Sequence, residues 1–160
     1  MAPQDTKLLT FKTLIRPILD YGSIIWFPYK QSDINKVDSV QKKSVRFLCR
    51  RYDRNFSPSS NLSVLGLRLL SERRGIDRLK SLYFMINSSR FDSLDSYIKF
   101  LKPTATRSHH ELNISPFHPR TDMFKYSFFP YTIERWNSLP GNIRSLQPDE
   151  FLCAIDSGSW

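Results

Sequence analysis

From residue 11 to residue 54 two apolar stripes at helical spacing follow one another. They are joined by Trp26, Phe27 and Pro28, and the second ends among Lys and Arg. Apolar residues repeating three and four apart must bury one side of each helix, so this stretch commits the chain to packing helix on helix. Leu8, Phe11, Ile15, Ile18 and Leu19 form the first stripe, with Leu14 beside them. Asp5 or Thr6 suits a cap for a helix starting near Lys7, because their oxygens accept N–H groups that the first turn leaves unpaired. Pro17 falls inside the stripe. It removes one hydrogen bond and predicts a kink or a split near Arg16. Gly22 is a natural stop. Ile24, Ile25, Trp26 and Phe27 are too apolar for an exposed loop, and Trp26 reads as a core anchor between two helices.

Ser32 or Asp33 suits the cap of the second helix. Ile34, Val37, Val40, Val45 and Leu48 give its apolar side, with Phe47 nearby, and Gln41 reads as a buried polar link. Lys42, Arg46 and Arg50 stand four apart and stack along one side. Lys43, Arg51 and Arg54 widen the patch, and Asp38 and Asp53 are too few to balance it. With a net charge of +9 over 160 residues, the chain favours polyanions. A phosphate-facing surface is therefore preferred to an ordinary solvated one. The candidate nucleic-acid-binding set is Lys42, Lys43, Arg46, Arg50, Arg51 and Arg54.

Residues 55–63 read as a loop, and Leu62, Leu65 and Leu67 as a short helical turn or packing plug around Gly66. A third helix follows. Leu69, Glu72, Ile76, Leu79, Leu82, Tyr83 and Ile86 mark its inner side, and Gly75 weakens its middle. Arg73 and Arg74 pair with Glu72 and Asp77 on this reading, or meet phosphate. Phe91, Leu94, Tyr97, Ile98 and Leu101 fit one more short helix. Beyond Pro103 the pattern dissolves into a long loop or extended segment. The organisation expected is a helical region over 1–102 and a loop- and aromatic-rich segment over 103–160 that packs on it. In that segment Phe124, Tyr126, Phe128, Phe129, Tyr131 and Trp136 read as a small core, with base stacking as the alternative. Thr132, Ile133, Trp136 and Leu139 suit a helical turn ending at Pro140 and Gly141. Ser145 suits the cap of a last helix, with Pro148 in its first turn and Phe151, Leu152 and Ile155 docking it.

Catalytic constellations are missing from this pattern. No nucleophile elbow, phosphate loop or zinc signature occurs, and His109, His110 and His118 lack the partners of a metal quartet. There is no Asp-Asp pair or Asp-x-Asp triplet to hold two metal ions. No cofactor or small-molecule substrate is expected. Cys49 and Cys153 read as buried free thiols of a reducing compartment. No run approaches the roughly 20 apolar residues of a membrane span, and the first residues do not resemble a secretory signal. The expected setting is intracellular, with nucleus and cytoplasm both open, and no membrane partner.

Several landmarks stand in a familiar order. Leu14-Ile15-Arg16-Pro17-Ile18-Leu19-Asp20-Tyr21-Gly22 with Trp26 resembles the "L-x-R-P-x-L-E-Y-A…W" segment of reverse transcriptases from non-LTR retrotransposons, the LINE-type elements of the jockey and chicken-repeat groups. Asp33-Ile34, Val40-Gln41-Lys42-Lys43 and Arg46-Phe47 resemble that family's "I-x-K-L-E-x-V-Q-R-R-A-x-R" helix. Leu65-Gly66-Leu67 with Leu70-Ser71-Glu72-Arg73-Arg74 is similar to its "L-G-L-x-x-L-x-x-R-R" element, and Leu79 to Ile86 to its "L-x-x-L-Y-K-I" helix. Ser127-Phe128-Phe129-Pro130 and Trp136-Asn137-Ser138-Leu139-Pro140 resemble "S-F-F-x-R…W-N-x-L-P", and Phe151 stands where the family has its last "F-K" helix. The likeness runs over residues 8–151. Asp20 stands for the usual Glu and Gly22 for the usual Ala, and no Lys follows Phe151. The resemblance implies a mostly α thumb-like bundle, the non-catalytic C-terminal part of an RNA-directed DNA polymerase. It further implies that fingers and palm, with their paired aspartates, are partners missing from this chain. In such an enzyme a thumb grips the template–primer duplex by its backbone, without reading bases. The alternative is a degenerate product or protein-interaction module with no nucleic-acid activity of its own.

Overall fold

The computed structural model describes residues 2–88, 96–102 and 110–158, and these are mostly α-helical. Two compact units divide the chain, Met1–Arg74 and Gly75–Trp160. The division falls within a helix.

In the first unit, α1 (Gln4–Thr10) begins three residues before the expected start, with Pro3 rather than Asp5 or Thr6 at its cap. It runs into a π-helical turn, Phe11–Ile15, and then α2 (Arg16–Asp20). The wide turn answers Pro17, whose ring would crowd the carbonyl four residues back and which has no N–H to give it. In the first turn of α2, the proline takes a position whose N–H has no partner within that helix. Gly22 then takes a left-handed turn at φ 64°, and Trp26 N–H closes on its carbonyl at 2.9 Å. A Cβ on Gly22 would sit 3.1 Å from the Trp26 ring.

Helix α3 (Gln31–Cys49) starts at Gln31 with no side-chain cap from Ser32 or Asp33. Phe11, Val45, Leu48, Phe56, Leu62, Leu65 and Leu67 form the core of this unit, with Leu8 and Cys49 against it. Val40 and Phe47, expected on or near the apolar side, are exposed. Gln41 is buried as a polar link. Its amide donates to the Arg68 carbonyl at 2.7 Å and accepts from Leu70 N–H at 3.1 Å. That second bond satisfies one of the unpaired donors opening α4 (Leu70–Asn87).

In the second unit, Ile76, Leu79, Leu82 and Tyr83 of α4 share a core with Ile114, Ile133, Trp136, Leu139, Ile143, Phe151 and Ile155. Leu69 and Glu72, expected on the inner side of α4, are exposed, because the apolar side starts only at Leu70. Phe91 and Leu94 lie outside the described residues. The rest of the expected helix there is not helical. Phe100 bridges Ile114, Leu101 N–H reaches the Asn113 carbonyl at 2.8 Å, and Ser115 N–H reaches the Lys99 carbonyl at 2.7 Å. Pairing with 113–115 satisfies backbone groups that a single turn before Pro103 would leave open.

Four short helices close the unit: α5 (Asp122–Lys125), α6 (Phe128–Ser138), α7 (Gly141–Arg144) and α8 (Pro148–Ser157). Four residues of the Trp136–Pro140 run have visible tasks. Trp136 Nε1 donates to the Leu112 carbonyl at 2.8 Å, and the Asn137 amide brackets Ile114 N–H and C=O at 3.0 and 2.7 Å. Leu139 is buried and Pro140 precedes α7. Gln147, not Ser145, caps α8, and Ser145 ends α7. Tyr83 stacks on Phe151 at 4.0 Å and donates its hydroxyl to the Leu146 carbonyl at 2.8 Å. Cys49 is half-buried and Cys153 exposed, so the two thiols are free but not both buried. No helix among the described residues is long and apolar enough to cross a membrane.

Candidate nucleic-acid interface

The C-terminal end of α3 carries the candidate cations. Gln41, Val45 and Leu48 turn inward. At about 100° per residue, Lys42 and Arg46 then lie along one flank, about 6 Å apart along the axis, and Lys43 opens on the outer side. Arg50 is the residue just past the helix, in the left-handed region at φ 52°. Its N–H bonds to the Phe47 carbonyl at 3.4 Å, and Arg51 N–H to the Arg46 carbonyl at 3.1 Å. This is the paired closure that glycine usually makes at a helix end, here made by an arginine.

The six cations are not equivalent. Among the described residues, Lys42, Lys43, Arg46, Arg50 and Arg54 have no carboxylate within salt-bridge distance. Arg50 donates to the Ala2 carbonyl at 2.8 Å. Arg51 holds Asp53 with two bonds, at 3.3 and 3.1 Å, and lies over the Phe56 ring. The hydrogen bond from Arg51 keeps the Asp53 carboxyl below its ordinary range. Arg51 thus already holds a carboxylate. Burial pushes the Asp38 carboxyl upward, against the pull of Lys42 and Arg74.

Three further side chains belong to this surface and were not in the candidate set. Lys7 reaches from α1 to donate to the Phe47 carbonyl at 3.4 Å, and its ammonium sits 4.6 Å from the Phe47 ring centre. A cation there also meets the negative end of the α3 dipole. Phe47 is 51% exposed, and Tyr52, which follows Arg51 in the chain, is 67% exposed. Helical spacing places Phe47 four residues from Lys43, but nothing in the spacing says that α1 stops short of covering it.

Arg73 and Arg74 are structural, but not in the expected way. Arg73 pairs with Asp20, which also meets Arg16 at 3.6 Å. Arg74 donates to the Leu19 carbonyl at 2.5 Å and stacks on Trp26, 3.8 Å from the ring centre. Trp26 Nε1 donates to the Tyr21 carbonyl at 2.7 Å. Trp26 is therefore no core anchor. It is 43% exposed and serves as the lid of an arginine clamp on the end of α2. Arg74 supplies a donor to one of the last carbonyls of α2, and Arg73 pairs with the carboxylate of its last residue.

Elsewhere, buried Arg78 donates to the Tyr126 and Ser127 carbonyls at 3.3 and 3.5 Å, beside the rings of Phe128 and Tyr131. Those rings are half-buried, and Phe128 and Phe129 pack on the core. His110 Nδ1 accepts from Leu112 N–H at 3.2 Å, a turn-forming bond. His109 lies outside the described residues. Among the described residues no group of three His, Cys, Asp or Glu is placed to hold a metal ion. No protein-family model, curated protein or solved structure matches this chain.

Proposed function

We propose that the chain is a non-catalytic, thumb-like C-terminal part of a non-LTR retrotransposon reverse transcriptase that holds nucleic acid by its backbone. The observation that carries this reading is the end of α3. Lys42, Lys43, Arg46, Arg50 and Arg54 stand there without a carboxylate partner among the described residues. Cations so placed neutralise phosphates and release counterions, with no base contact needed. The ordered landmarks from Leu14 to Phe151 support the same reading.

The test is binding of a primer–template duplex across a salt series. Each phosphate contact adds about 0.9 to the slope of log affinity against log salt. Lys42→Ala with Arg46→Ala is expected to flatten that slope by about 2. No binding at low salt would sink the reading.

A second reading, a protein-docking module, has its own observation. Leu14, Ile18, Ile25 and Trp26 are exposed around the α2 turn, Ile18 by 74%. Phe11 does not join them, being buried in the first core. Ile18→Asp separates the two readings: it abolishes docking of a partner protein and leaves duplex binding unchanged.

A further inference from the structure

We infer that the basic end of α3 takes an unpaired nucleic-acid strand, whose bases stack on Phe47 and Tyr52 while Lys43, Arg46 and Arg50 hold its phosphates. The inference rests on the nucleic-acid reading above and names the state of the strand.

Exposed aromatic rings are common singly and need no explanation. Two within a six-residue run that also holds Arg50 and Arg51 are a different case. Phe47 lies one helical turn from Lys43 and next to Arg46, and Tyr52 follows two residues after Arg50. Lys7 covers part of the Phe47 ring at 4.6 Å, and half of the residue stays open to solvent. Tyr52 makes no hydrogen bond or ring contact among the described residues. A ring held out in water beside cations has nothing to offer a duplex backbone, because a duplex hides its base faces in the stack. An unpaired strand presents both phosphates and bare π-faces, and the pairing of cations with rings meets both.

Arg50 adds a separate argument. Its left-handed conformation is strained for a non-glycine residue, and glycine would relieve it. The chain instead keeps an arginine here, between Phe47 and Tyr52 in the sequence, whose guanidinium donates to the Ala2 carbonyl at 2.8 Å.

The experiment is fluorescence anisotropy with the 160-residue chain, using a labelled single strand of mixed sequence and its blunt duplex at one salt concentration. The single strand is expected to bind more tightly. Phe47→Ala and Tyr52→Ala are each expected to weaken single-strand binding about fivefold or more and to leave the duplex within about twofold. Tyr52→Phe keeps the ring and is expected to keep the affinity. Because Tyr52 touches nothing in the core, its variants test the idea even if Phe47→Ala disturbs α1. Equal binding of both forms, or indifference to the Tyr52→Ala change, would overturn the stacking inference and leave the backbone reading standing. Binding of neither form would overturn both.

Discussion

Removing the carboxylate of Asp20 should destabilise the first unit more than any surface ion pair can explain. The Arg73 side chain is 10% exposed and that of Asp20 27%. Stranding one partner of a fully buried pair costs about 3–5 kcal/mol, because the other charge stays out of water. Water reaches the Asp20 side, which brings the expected cost of Asp20→Ala down to about 2–3 kcal/mol. Its second contact, to the more exposed Arg16, adds no more than about 0.5 kcal/mol. Arg73→Met keeps much of the stem and removes the charge, and should cost about 2 kcal/mol. The double variant should then lose less than the sum by at least about 1.5 kcal/mol. Urea denaturation followed by far-UV circular dichroism measures all four corners of the cycle. A coupling below about 0.5 kcal/mol would refute the clamp as an energetic unit and reduce it to two neighbours.

Gln41→Leu removes the link between α3 and the start of α4. It leaves the Arg68 carbonyl and Leu70 N–H unpaired, and should cost about 2–4 kcal/mol by denaturation, whereas Gln41→Glu restores one acceptor only. Arg50→Gly should stabilise the chain by about 1 kcal/mol by relieving the left-handed turn, and weaken nucleic-acid binding by removing a cation; thermal melts and anisotropy should move in opposite directions. Asp38 is an acid whose carboxyl is raised on folding by burial. The native state therefore holds that proton more tightly, and the benefit is full below the ordinary carboxylate pKa and is lost as pH rises through the raised value. Asp38→Asn should accordingly stabilise the protein at pH 7 and make no difference near pH 3, checked by melting temperature across pH.

How much of this was legible beforehand varies with the kind of interaction. Helices were readable wherever an apolar stripe ran long enough, as in α3 and α4, since burying one side of a helix leaves a period of 3.6. Pro17 announced the break between α1 and α2, because a missing N–H is a local fact. Gln41 was recognisable as an inner polar residue from its apolar neighbours alone. Residues 96–101 went wrong because their apolar spacing suits a helix and a paired extended run alike, and the partner at 113–115 lies beyond any local window. Trp26 went wrong for a similar reason: an apolar neighbourhood predicts burial, but not that an arginine 48 residues later will cover the ring.

The sequence by itself determined the helical character of the chain, the excess of positive charge and its concentration near residues 42–54, because these follow from composition and period. Only the tertiary structure decided which cations are left for a ligand. Arg51 turned to Asp53, and Arg73 and Arg74 to the end of α2, whereas Lys42 and Lys43 stayed exposed and Arg46, half-buried, took no carboxylate partner among the described residues. A charge is a property of the residue. Whether it is spent depends on which carboxylate, carbonyl or ring the fold brings within about 4 Å of it, and that distance is set by contacts between residues far apart in the chain.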